Sequence, residues 1–374
     1  MTLKLRYFVD AISESETAPQ NSPYDRFVGL EHYDSGELEI TRYSDTSLLS
    51  SSVKVFHKND ILIARRNVYL KRAGIVLFNG LTSGDSIILR VKPDSEKTTG
   101  VPYEIALRWL PLLLNSSVFW AYANKHADGM NSKRISKEML LDYEFDAPSL
   151  DEIVSVTERV WAAHELKNRY RALLKATDEI VKSRFIEEFG NPVTNSKSWP
   201  TKPLSEVAPE SPSTNKATGL VWVLNLDMVE SQSGRVIEKV YDNVENLNSV
   251  AAFDDGNVLF SKLRPYLNKV VIPNGKGYAT TELVPLRPDT TIVRKEFLAC
   301  LLRSNDFVNY ADAIATGTKM PRMPMTALRD FKCIIPPVDL QDEFIKVSRQ
   351  ADKSKFELKQ AIDKIDRVMR SLLQ

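Results

Sequence analysis

Cysteine is nearly absent from this chain. Cys300 and Cys333 are the only two in 374 residues, too few for a disulfide framework, and they point to a reducing compartment. Histidine is almost as scarce. His32, His57, His126 and His164 show no metal-ligand spacing among themselves or with the cysteines, which argues against a zinc site. Long apolar runs are missing too: residues 1–10 carry no signal-peptide core, and the greasiest stretch, 109–114, is interrupted by Pro111. The expectation is a soluble, cytoplasmic protein with no membrane span. Neither charge sign dominates, since 50 Lys and Arg face 49 Asp and Glu for a net charge of +1. Any contact with nucleic acid must therefore come from local patches.

Catalytic signatures are absent as well. The sequence holds no phosphate-cradling P-loop and no dinucleotide fingerprint. Phe27-Val28-Gly29 has the outline of a methyl-donor loop, but no Asn-Pro-Pro-Tyr or Asp-Pro-Pro-Tyr element accompanies it, and Ile335-Pro336-Pro337-Val338 lacks the polar residue. Phe27 to Leu30 reads instead as a core strand. Pro93-Asp94 with Glu96-Lys97 resembles a nuclease fragment only in composition. The chain is expected to perform no chemistry of its own.

What is present is 43% hydrophobic residues, enough for two domains with separate cores, and two long helical patterns. In residues 149–189, Ile153, Val156, Val160, Ala163, Leu166, Tyr170, Leu173, Leu174, Ile180, Val181, Phe185 and Phe189 keep one face apolar. In 339–374, Phe344, Val347, Ala351, Ser354, Leu358, Ala361, Ile365, Val368 and Leu372 alternate steps of three and four, the heptad seam of a coiled coil. Ser149 with Glu152 forms a capping box, Asp339 is placed to cap the second helix, and Phe189-Gly190-Asn191-Pro192 stops the first. Each helix spans roughly 50 to 60 Å at 1.5 Å per residue. The plainer alternative is two core helices of an ordinary α/β protein.

Each long pattern follows about 140 residues of short strands and helices, and the two stretches are copies. Asp60 to Ala64 and Ile87 to Val91 read as strands, and 105–125 as a helix interrupted at Pro111; Val221 to Asp227, Asn257 to Ser261 and the helix 296–310 repeat the pattern. A slide of 197 aligns residues 56–90 with 253–287 without a gap, matching Phe56, Leu62, Tyr69, Gly80 and Arg90 to Phe253, Leu259, Tyr266, Gly277 and Arg287. A slide of 188 then matches Ser116, Phe119, Gly129, Arg134, Leu140 and Pro148 to Ser304, Phe307, Gly317, Arg322, Leu328 and Pro336.

Charge follows the repeat. Residues 61–84 contain Arg65, Arg66, Lys71 and Arg72 and no acid; residues 256–281 contain Lys262, Arg264, Lys269 and Lys276 and again no acid. Tyr69 and Tyr266 lie inside these stretches. Lys133 and Arg134 after Gly129, and Lys319 and Arg322 after Gly317, form a second matched pair. Cations without neighbouring acids suit phosphate, and Asn67, Asn131 and Asn268 can reach base edges. A solvated loop face is the alternative for any one cluster.

These residues resemble the specificity subunits of type I restriction-modification systems. The resemblance rests on the tandem repeat with its two long helices, on Trp199-Pro200 with Leu204-Ser205-Glu206-Val207, on Pro336-Pro337-Val338-Asp339-Leu340-Gln341, and on Leu173 to Phe189. One departure is that Met1-Thr2-Leu3-Lys4-Leu5 lacks the tryptophan opening seen at Trp199. The resemblance implies an α+β chain of two mixed α/β target-recognition domains, each followed by a long helix, the helices pairing as an antiparallel coiled coil. The boundaries are then 1–148 and 214–337 for the domains, 149–190 and 338–374 for the helices, and 191–213 for a linker. It further implies a non-catalytic subunit reading an asymmetric bipartite sequence in double-stranded DNA. Its partners would be two methyltransferase subunits, which bind S-adenosylmethionine and methylate adenine, and a motor-nuclease subunit. Lys167, Arg169, Lys353 and Lys359 on the helices are expected to be solubilising. A coiled-coil assembly scaffold without sequence-specific DNA binding is the alternative, and the recognition half of a fused enzyme a further one, disfavoured by the duplication.

Overall fold

The computed structural model describes residues 1–47, 49–130, 132–213 and 218–373. Residues 214–217, at the start of the expected second domain, lie outside them. The chain divides into two compact units, Met1–Ala172 with Lys359–Gln374, and Leu173–Leu358. No helix of the described residues is long and apolar enough to cross a membrane.

In the first unit an antiparallel sheet orders Val9–Ile12, Ser86–Val91, Ile61–Ala64 and Ala73–Ile75. A second sheet of five short strands contains one parallel pair, Arg26–Val28 beside Gly80–Thr82. In the second unit a three-stranded antiparallel sheet orders Val270–Val271, Val258–Ser261 and Leu283–Leu286, and a four-stranded sheet again contains one parallel pair, Leu220–Leu224 beside Gly277–Thr280. Both parallel pairs need a glycine. A Cβ on Gly80 would lie 2.6 Å from the Arg26 carbonyl oxygen and 2.7 Å from the Phe56 ring; on Gly277 it would lie 2.5 Å from the Trp222 oxygen and 2.7 Å from Phe253.

Other matched positions do matched work. Ser116 and Ser304 accept from the Phe119 and Phe307 amides and start helices Ser117–Lys125 and Asn305–Ala313. The break between paired helices therefore falls at these caps and not at Pro111, which sits inside Tyr103–Leu113. Arg90 grips Asp60 with two bonds of 2.7 Å. In the second copy Arg287 bonds Asp254 at 2.8 Å and Asn257 at 3.1 Å. The carboxylate has moved from the position of Asp60, now Asn257, to that of His57, now Asp254, and the guanidinium keeps its partner.

The long helices are Leu150–Phe189 and Val338–Leu372. The Ser149–Glu152 capping box is present, with the Ser149 amide 2.8 Å from the Glu152 carboxylate. Asp339 instead lies within the first turn, while Gln341 bonds the Arg294 amide and the Ile292 and Pro336 carbonyls. Within the first unit Val160 and Met369 share a small apolar cluster with Ile365 and Leu372. Within the second, Phe185 and Phe189 meet Phe344 and Phe297 at centroid distances of 4.9 to 5.6 Å, edge-to-face except for the tilted Phe185–Phe297 pair, pairs worth about 0.5 to 1.5 kcal/mol each beyond area burial.

The apolar seam read from spacing is only partly buried. Leu173 and Ile180 are exposed, as are Val347 and Val368, whereas Ile345, Ser348 and Met369 face inward. Within each unit the helices also meet through ion pairs. Lys167 is 1% exposed and holds Glu37 and Asp366, each at 2.9 Å, so it is a buried tie and not a solubilising charge. Burial raises the Glu37 carboxyl, but Arg171 and Lys167 outweigh it and leave its pKa below the usual value. In the second unit burial opposes the Lys355 ammonium, and bonds from Asp178 and Asp352 overcome that and raise it.

Residues 191–213, a linker by composition, are largely structured. They contain the strand Thr201–Pro203, paired with Lys332–Ile334, and the helix Leu204–Val207, whose Leu204 and Val207 are buried in the second unit's core. Alternating small polar residues hid two apolar anchors spaced one turn apart.

Candidate nucleic-acid interface

In each unit one buried strand runs into a loop that turns through a single 3-10 turn, and a second loop from far along the chain is laced to it. In the first unit the strand Ile61–Ala64 leads to the turn Val68–Leu70, flanked by Asn67 and Lys71 with left-handed φ of 55° and 51°. The Asn67 amide donates to the Lys133 carbonyl at 2.8 Å and the Ile135 amide to the Arg65 carbonyl at 3.0 Å. In the second unit Val258–Ser261 leads to Pro265–Leu267, flanked by Arg264 and Asn268, both at 49°. There the Arg264 amide donates to Pro321 at 2.7 Å and the Met323 amide to Lys262 at 2.9 Å. The two basic clusters of each copy are thus one surface. Gly129 and Gly317 permit the return of the second loop at φ of 116° and 105°.

A carboxylate stands at the edge of each surface, one residue beyond the acid-free runs. Arg322 binds Glu282 with Nε–Oε1 3.0 Å and Nη2–Oε1 2.9 Å, which raises its pKa. At the matched place Arg134 lies 3.5 Å and Arg66 3.8 Å from Asp85. Sequence reading missed Asp85 and Glu282, although the slide of 197 aligns them.

The predicted residues divide by where their side chains go. Arg66, Tyr69, Lys71, Lys133 and Arg134 are exposed in the first unit, with Tyr69 at 61%. Asn67 is half-buried, its Oδ1 3.3 Å from the Ser132 hydroxyl. Arg264, Tyr266 and Lys319 are exposed in the second, and Arg322 is half-buried beside them. Arg72 turns inward, donating to the Leu30 and Arg66 carbonyls. Lys269 donates to the Leu226 carbonyl at 2.6 Å, and burial lowers its pKa. Asn268 is 3% exposed and donates to the Arg303 carbonyl at 3.0 Å. Arg72, Lys269 and Asn268 therefore shape the loops from within. Lys262 is half-buried, its amide bonded to the Glu282 carbonyl. Lys276 is exposed ahead of Gly277–Thr280, a strand of the other sheet. Asn131 lies outside the described residues.

Arg65 departs from its cluster. It lines a small cleft of about 260 Å³ with Lys54 and Lys137, and burial, then the Arg65 and Lys137 charges, lower the Lys54 pKa. The repeat could not reveal Lys54 and Lys137, whose counterparts are Ala251 and Met325. Among the described residues no group of three or more His, Cys, Asp or Glu side chains is placed to hold a metal ion.

No protein-family profile matches the chain. Over 125 residues, 32% of its length, it is 25% identical to the type I restriction enzyme EcoDI specificity subunit of Escherichia coli. That match covers 28% of the relative. Two solved structures align with the whole chain. One is a type I restriction-modification system S subunit from M. genitalium, with a TM-score of 0.52, 13% identity and 94% of its chain covered. The other comes from work on complex assembly and conformational transition of the type I R-M system, with a TM-score of 0.53, 16% identity and 96% covered. From end to end, the chain has the fold of the specificity subunits of type I restriction-modification systems.

Proposed function

We propose that the chain is a DNA-specificity subunit of a type I restriction-modification system and is itself non-catalytic. Each unit presents one laced double loop to double-stranded DNA. The observation that carries this reading is the recurrence of the same surface in both copies: an exposed tyrosine among exposed cations, on a backbone held by the same ladder of bonds. Rigid loops with fixed cations position a protein on phosphates, and the side chains between them read bases. Because the two loops share their frame and differ in their exposed residues, they read different half-sites, and the target is an asymmetric bipartite sequence.

The same reading assigns the long helices to a continuous antiparallel coiled coil that sets the half-site spacing. Support comes from pairs with nearly constant residue sums, Val160 with Met369 in one unit and Phe185 with Phe344 in the other. Partner methyltransferase subunits, two per complex, supply S-adenosylmethionine and methylate adenine, and a motor-nuclease subunit completes restriction. The test is co-expression with the neighbouring methyltransferase gene and methylation mapping of genomic DNA. Adenine methylation confined to one asymmetric bipartite sequence supports the assignment. Methylation that persists unchanged when this chain is deleted refutes it and favours the scaffold reading.

A further inference from the structure

The cleft around Arg65 belongs to the first unit alone and lies apart from the loop surface. Arg65 has both backbone groups in the ladder of bonds, its amide donating to the Asp85 carbonyl at 2.9 Å and its carbonyl accepting from the Ile135 amide at 3.0 Å. Successive residues of extended backbone point to opposite faces, so its side chain leaves the side that carries Arg66. It lines the cleft with Lys54, from the strand Val53–Phe56, and with Lys137, the first residue of the helix Lys137–Leu141.

The protein answers these three cations poorly. The Arg65 Nε is buried and has no hydrogen-bond partner. Lys54 donates to the Ser86 carbonyl at 2.7 Å and the Gly84 carbonyl at 3.3 Å, which leaves one of its three protons. Burial and the Arg65 charge, then that of Lys137, hold the Lys54 pKa down against the pull of Asp85, a carboxylate already shared by Arg66 and Arg134. The one carboxylate of the lining, Glu138, stands 3.9 Å from Lys137, and both side chains are more than half exposed, so water screens the pair. The Ser136 hydroxyl accepts from the Met139 amide and keeps its proton to donate. Like charges gathered at a half-buried site repel, and a bound anion offsets that cost.

We propose that this cleft is a phosphate-binding site distinct from the laced loops, in which the Arg65 guanidinium and the Lys54 and Lys137 ammonium groups hold the oxygens of one phosphate group. A guanidinium matches phosphate oxygens with paired donors, and a lysine supplies a point charge. Ser136 adds a hydroxyl donor. The second unit has no such site, since Lys54, Arg65 and Lys137 are replaced there by Ala251, Lys262 and Met325. The phosphate belongs either to the DNA backbone or to a free phosphate compound, and the first source alone rests on the DNA reading.

The full-length protein is titrated with inorganic phosphate at constant ionic strength, sodium chloride making up the balance, and its thermal midpoint is followed. A saturable rise is expected. Arg65→Gln and Lys137→Gln are each expected to raise the half-saturating concentration about tenfold or more, the loss typical of a hydrogen bond between charged groups. Lys137 is exposed, so its variant keeps the test intact even where Arg65→Gln destabilises the fold. Salt-dependent DNA binding of Lys137→Gln then identifies the source: a slope of log K against log salt flatter by about 0.9 assigns a backbone phosphate, and an unchanged slope assigns a free phosphate compound. A midpoint that follows chloride and phosphate alike, or half-saturation unchanged in Lys137→Gln, overturns the proposal whether or not the protein binds DNA.

Discussion

Arg322 and Glu282 lie 40 residues apart and meet edge to edge, with Nη2 2.9 Å from Oε1. The pair ties the loop after Gly317 to the strand end at Leu283 and takes one cation out of the free positive surface. Glu282→Gln is expected to release Arg322 toward phosphate. Nonspecific DNA affinity then rises, and the slope of log K against log salt steepens by about 0.9, one added phosphate contact. Binding isotherms at several salt concentrations measure both. An unchanged slope would mean that Arg322 does not reach DNA.

Lys133 and Lys319 are exposed on the second loop of each unit. Lys133→Ala and Lys319→Ala are each expected to weaken all sequences alike and to flatten the salt slope by about 0.9, without changing base preference. Competition assays across randomised duplexes separate this from a base contact, which would relax one position only.

Lys167 is buried against Glu37 and Asp366. Lys167→Met leaves two carboxylates without their common cation, and the expected cost is about 3 to 5 kcal/mol in chemical denaturation, the usual range for breaking a buried pair from one side. The Glu37 pKa is held below its ordinary 4.5. Its stabilisation is therefore present in full above that value and is lost as pH falls through the depressed one. Acid unfolding of the Glu37→Gln variant should lack that component.

Gly80→Ala and Gly277→Ala each drive a methyl into a backbone oxygen and a phenylalanine ring. Each is expected to lower stability by about 1 to 3 kcal/mol, the usual overpacking cost. A thermal midpoint equal to wild type would show that the parallel pair yields locally.

The long helices, the repeat and the pairing of the basic clusters were legible because periodicity and residue identity recur along the chain. Side-chain direction was not. Lys71 and Asn268 occupy the same left-handed position after the 3-10 turn, yet one is exposed and the other 3% exposed. Composition also placed Arg72 and Lys269 among the contacts, while both spend their charge on backbone carbonyls. The ion pairs between the helices within each unit were hidden for a different reason. A lysine at a seam position looks solvated until its two acids, one 130 and one 199 residues away, are brought to it.

The central claim is that each double loop reads its own half of one target. Its most direct measurement replaces Arg66, Tyr69, Lys71 and Lys133 together with alanine and maps adenine methylation on genomic DNA in the presence of the partner methyltransferase. The account predicts relaxed preference in one half of the recognised sequence and an intact second half. An unchanged pattern, or equal relaxation of both halves, would contradict it.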